Sequence, residues 1–230
     1  MRIGGERHKT MLMLKLFLKL IIAVLSVPIG VGVTAAFYKN LVMISALSGS
    51  LSFFLWGIAV YAVIHLLFYK PTYLYVFGHE AVHAGVSWIF GGKIKSFKAS
   101  KKGGGVGTDK SNVVISLSPY FVPIYAIIIA VIYFIAASSY NINGAIFIFL
   151  IGFALAFHMI STIEVMKIRQ PDIMKSGYFF SIVFVYVFNV VVIALIFSLM
   201  FPEFLIKRFF VDSWVFSKGA YIAAVRQLFF

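Results

Sequence analysis

The chain of 230 residues is 62% hydrophobic, has a mean hydropathy of +1.02 and holds only 12% charged residues, which excludes a soluble core and makes lipid the solvent for most of it. It contains no cysteine, which excludes disulfides, thiolate metal sites and a cysteine nucleophile. The net charge of +13 comes from 20 Lys and Arg against 7 Asp and Glu, and its bases lie in connections between apolar blocks, where anionic headgroups rather than nucleic acid are the expected partner.

A helix needs about 20 apolar residues to cross a hydrocarbon core of about 30 Å. Six stretches meet or approach that length. The first, 11–37, has a basic flank but is too long and apolar for a cleavable leader, so a spanning helix is expected. The second runs over 41–69 and the third over 71–91. The fourth covers 113–137, with Ser116, Ser118, Pro119 and Pro123 as marks of packing or a kink. The fifth covers 144–166 and the sixth 178–201. The tail 202–230 mixes aromatics with Lys207, Arg208, Lys218 and Arg226, the pattern of an interfacial helix. Polar spacers are nearly absent, so a single membrane domain over 1–230 is expected.

Between the third and fourth helices, GGKIKSFKASKKGGGVGTDKSN (91–112) breaks the pattern with six lysines and a glycine run. KIKSFKAS alternates with the period of a strand, and the glycines permit tight turning, so the segment reads as a β-hairpin or re-entrant loop. GGGVG lacks the Gly-Lys-Ser/Thr ending of a phosphate loop. Charge does not orient the chain: with six spans, ten bases fall on each side.

The third helix carries GHEAVHA, with His79, Glu80 and His83 inside an otherwise apolar stretch. Residues four apart share a helix face about 6 Å apart along the axis, so the two imidazoles can bind one metal ion, with Glu80 beside it as a base for an activated water. Ionisable groups within a bilayer are costly unless paired, and Zn²⁺ supplies the compensation. A polar network between helices is the plainer alternative. A hydrolytic zinc site needs a third protein ligand. The residues leave three candidates: His158 inside helix five, Glu164 near its end, and Asp172 in RQPDIMKSG. Depth favours His158.

A membrane-embedded HExxH, a following glycine-rich loop before NVVISLSPYFVP, and a Pro-Asp after a further helix pair resemble the site-2 protease family of intramembrane zinc metalloproteases. The likeness is to its compact members without a PDZ domain, and it covers 71–175. The six stretches predict an all-α polytopic membrane protein of about six transmembrane helices, and the resemblance implies a three-helix catalytic core over 71–175. It implies Asp172, preceded by Pro171, as the third zinc ligand, with His158 the alternative, and Glu80 as general base. Glu164 is then expected to pair with Lys167 or Lys175. The family's aspartate is usually followed by glycine; here Ile173 follows and the nearest glycine is Gly177. The expected substrate is a transmembrane protein unwound at the scissile bond, held as an added strand along Gly103, Gly104, Gly105, Val106 and Gly107. A cytoplasmic-side site in a prokaryotic cell membrane is further implied. A non-proteolytic zinc protein of the membrane and a metal or solute transporter are the alternative functions.

Overall fold

Long runs of Leu, Ile, Val and Phe leave no backbone polar group that lipid could satisfy, so the chain closes its hydrogen bonds within helices. A computed structural model describes residues 2–44, 49–139, 143–168 and 170–229. Residues 45–48 of the second expected span and Arg169, one of the counted bases, lie outside the described residues. In chain order the elements are α1 (Arg2–Leu41), α2 (Gly49–Leu67), α3 (Thr72–Ile89), β1 (Ile94–Ser100), β2 (Gly103–Thr108), α4 (Val113–Leu117), a 3₁₀ turn (Ser118–Tyr120), α5 (Ile124–Ser139), α6 (Gly144–Met166), α7 (Pro171–Ser176), α8 (Tyr178–Met200) and α9 (Ile206–Phe229). Among the described residues, four helices are long and apolar enough to cross a membrane, or five if α4 with its 3₁₀ turn and α5 form one broken span. The third expected span, α3, is not among them, because His79, Glu80 and His83 lower its hydropathy.

The fourth expected span is not one straight helix. The chain bends by 77° between the 3₁₀ turn and α5. Pro119 and Pro123 flank the bend, and each lacks the N–H that a continuous helix would need there.

Two compact units divide the chain: Ile44–Ile168, and Met1–Met43 joined with Arg169–Phe230. In the first, α2 and α6 cross closely enough for backbones to touch. A Cβ on Gly57 would fall 2.0 Å from the Phe149 carbonyl oxygen, and one on Gly152 would fall 2.3 Å from that of Phe54. This is the small-residue crossing by which helices associate in lipid, where burial of apolar surface offers no driving force. Tyr61, Ala156 and Phe157 form a buried cluster beside it, with Phe153 and Tyr125 against its edge. At the helix ends, Lys70 Nζ lies 2.5 Å and His65 Nε2 3.2 Å from Glu164 Oε1. The partners of Glu164 are therefore on and just after α2, not the expected Lys167 or Lys175, because the α2–α6 crossing brings those ends together.

β1 and β2 form an antiparallel hairpin, as the period-two pattern of KIKSFKAS predicts, with Phe97 opposite Val106 and Ala99 opposite Gly104. The hairpin folds back along α3. Its base is fixed by the Ser87 and Thr108 hydroxyls, 2.5 Å apart, and midway the Phe97 ring meets Phe77 edge-on at 5.8 Å.

In the second unit, α1 runs antiparallel to α9. Lys39 Nζ donates to Asp212 at 2.8 Å, Asn40 Nδ2 donates to the same carboxylate at 3.0 Å, and the Tyr221 hydroxyl donates to the Leu25 carbonyl. The tail read as an interfacial helix thus presents its polar residues, Asp212, Ser213 and Ser217, inward and leaves Val211, Trp214 and Val215 exposed. α7 is a single short turn joined to α8 at Gly177, whose φ of +89° suits glycine.

Candidate metal centre

α3 positions the chemistry through its periodicity. His79 and His83 stand one turn apart with ring centroids 4.9 Å from each other and planes at 78°. Both are half-buried, while Glu80 between them is 7% exposed. Each imidazole is oriented through Nδ1. His83 Nδ1 donates to the Ile115 carbonyl oxygen at 2.9 Å, and His79 Nδ1 lies 3.2 Å from the Tyr75 hydroxyl. A carbonyl oxygen can only accept, so the hydrogen of His83 sits on Nδ1 and the lone pair on Nε2. That is the tautomer in which a histidine binds a metal through Nε2 while its other nitrogen is held by an oxygen.

The oxygen that orients His83 is itself held in place. Asn112 caps α4, its side chain accepting from Ile115 N–H at 2.8 Å, and the Ser118 hydroxyl donates to the Ile115 carbonyl at 3.0 Å. Tyr120 closes the other side, its ring edge-on to His79 at 5.1 Å. Ser118, expected only as a mark of packing or a kink, thus also supports the orientation of His83. The acceptor is a backbone group, which leaves no side-chain signal to find.

A narrow cleft of about 20 Å³ opens beside His79, lined by Tyr75, His79, Pro119, Tyr125 and His158 among others. His158, the alternative third ligand, therefore reaches the same cleft as His79 from α6. Asp172 lies in the other unit, in the first turn of α7, with Pro171 at the first helical position. The fifth helix does end before it: α6 stops at Met166 and a new turn begins at Pro171.

The glycine run takes up β2. A Cβ on Gly104 would come within 2.7 Å of Glu80 Cγ and 2.9 Å of Glu80 Oε1, so the strand backbone lies directly against the carboxylate side chain. Gly103 and Gly105 have open space where a Cβ would project. Val106 pairs with Phe97 and Gly107 with Ser96. His65 lies away from this cleft, with the Tyr61 hydroxyl 2.9 Å from its Nδ1.

Two imidazoles on one helix face, both oriented through Nδ1, form half of a nitrogen and oxygen donor set suited to Zn²⁺, and a carboxylate stands beside them. No protein-family model matches the sequence, and no curated protein and no solved structure matches it.

Proposed function

We propose that the protein is an intramembrane zinc metalloprotease of the site-2 type, cutting peptide bonds of membrane-spanning or membrane-associated proteins. One observation carries the reading: His79 and His83 share a helix face and each has Nδ1 beside an oxygen, with buried Glu80 between them. A purely structural zinc site has no need of an ionisable base at that position. The proposal takes α3, α5 and α6 as the catalytic core among six spans and places the protein in a prokaryotic cell membrane.

His79 and His83 would hold the metal, with Asp172 the proposed third ligand and His158 the alternative. A zinc ion, when bound, supplies Lewis acidity toward water and a peptide carbonyl. Glu80 accepts a proton from the attacking water as the water oxygen bonds to the scissile carbonyl carbon. The same carboxyl then gives its proton to the amide nitrogen, and the C–N bond breaks to leave an acid and an amine. A helical substrate hides its carbonyls, so the scissile segment has to be extended. The hairpin edge offers strand pairing to hold it so, and its glycines admit a second backbone beside Glu80.

The test is cleavage of transmembrane peptides by the purified protein in phosphatidylcholine nanodiscs, read by mass spectrometry. Glu80→Gln should abolish cleavage and keep zinc. Zinc retained with no cleavage of any peptide by the parent would favour a non-proteolytic zinc protein.

A further inference from the structure

The hairpin carries more positive charge than the chain neutralises. Of the six lysines in 91–112, Lys98, Lys101 and Lys102 cluster at its tip, and all three are exposed. The one acidic residue of the segment, Asp109, is used at the base, where it accepts from Lys93 N–H at 2.7 Å. Among the described residues, no acidic side chain pairs with the three tip lysines.

The register fixes where these charges stand. Gly104 lies against Glu80 and opposite Ala99, Lys98 is the next residue along and opposite Gly105, and Lys101 and Lys102 form the turn. At about 3.3 Å per strand residue, the three ammonium stems begin within about 10 Å of the Glu80 level. Phe97 faces α3 through Phe77, so strand alternation turns Lys98 to the opposite, open face, where Gly105 also has nothing near it. A substrate strand along this edge would carry alternate side chains past Lys98 and the turn.

A lipid headgroup fits this position less well. The hairpin base meets α3 at Ser87, beside exposed Trp88, Ile89 and Phe90, an aromatic end suited to an interface. From Ser87 back to Glu80 is seven residues, about 10 Å along the helix axis. A headgroup layer at that aromatic end reaches Lys93 and Lys110 at the base, not the tip.

We propose that the hairpin selects extended substrate segments bearing aspartate or glutamate about two to four residues from the scissile bond, with Lys98, Lys101 and Lys102 as the specificity-determining residues. The inference rests on the proteolytic reading, since it is the Glu80 level that defines the scissile position. Three exposed ammonium groups within five residues make a local positive patch, and acidic substrate side chains supply its counter-charge.

The experiment separates the two ideas by measuring binding without turnover. Full-length Glu80→Gln protein in phosphatidylcholine nanodiscs is titrated with labelled β-prone peptides that differ only in carrying Asp, Asn or Lys at two alternate positions. The Asp peptide should bind about tenfold more tightly than the Asn peptide at low salt, with the gap closing as salt rises. Lys98→Gln/Lys101→Gln/Lys102→Gln should erase the gap, and the corresponding triple change to Glu should reverse it in favour of the Lys peptide. Equal binding of the Asp and Asn peptides, or a preference that survives the Gln changes, would overturn the inference. So would loss of the preference when phosphatidylglycerol is added to the nanodiscs, since the lysines would then be serving headgroups. Zinc content and cleavage by the unsubstituted protein are measured in parallel. Their absence alongside an intact charge preference sinks the proteolytic reading and keeps an acidic-peptide-binding hairpin.

Discussion

Gly104 stands where any side chain would collide with Glu80, its Cβ position being 2.7 Å from Glu80 Cγ and 2.7 Å from the Lys98 carbonyl oxygen. Adding a methyl group there must move either the strand backbone or the carboxylate. A displacement near 1 Å at a reacting group costs on the order of 100-fold in rate. Gly104→Ala should therefore lower cleavage by about 100-fold with zinc content unchanged. Gly105→Ala, with open space at its Cβ, should stay close to the parent. Equal activity in the two variants would remove Gly104 from the positioning of Glu80.

The oxygens behind the histidines should tune metal affinity. Tyr75→Phe removes the hydroxyl beside His79 Nδ1, and Asn112→Ala removes the cap that seats the Ile115 carbonyl behind His83. Loss of such supporting groups typically costs 10- to 100-fold in metal affinity, and about tenfold is expected for Tyr75→Phe. Competition with a chelator measures it. Unchanged zinc affinity in both variants would mean that Nδ1 orientation does not prepare the site.

The crossing of α2 and α6 has no room for a side chain. Gly57→Leu and Gly152→Leu each drive carbon atoms into a carbonyl of the facing helix, at 2.0 Å and 2.3 Å from the Cβ alone. Overpacking of this kind typically costs about 1–3 kcal/mol, and more where backbone must move. Denaturation in detergent should register the loss, and Gly219→Leu, at a position with open space, is the control.

The second unit should weaken in acid. The hydrogen bond from Lys39 holds the Asp212 carboxyl below its ordinary value of 3.8, and the Asn40 amide adds to it. A group with a depressed folded pKa contributes stability that is complete above its unfolded value and is lost as pH falls through the folded one. The Asp212 contribution is thus present at neutral pH and disappears below about pH 4. In detergent, Asp212→Asn should flatten the acid limb of unfolding relative to the parent. Parallel acid limbs in the two proteins would contradict this assignment.

What the sequence made legible follows from range. The i, i+4 spacing of His79 and His83 is local, and so is the strand period of KIKSFKAS, and both appear in the structure where the residues put them. Pro119 and Pro123 mark a kink by their missing N–H groups, and a 77° bend stands there, but its size depends on packing beyond the local residues. The pairing of Glu164 with Lys70 and His65 depends on how α2 crosses α6, a long-range fact set by two glycines that carry no charge signal. Ile115 was invisible as a partner of His83 because it acts through its backbone carbonyl.

Zinc content decides the central claim. Purified protein in detergent, reconstituted with zinc and freed of excess, is analysed for the parent, Asp172→Ala and His158→Ala. About one zinc per chain in the parent, lost with Asp172→Ala and kept with His158→Ala, is the predicted result. No bound zinc in the parent would contradict the account and return His79, Glu80 and His83 to a polar network between helices.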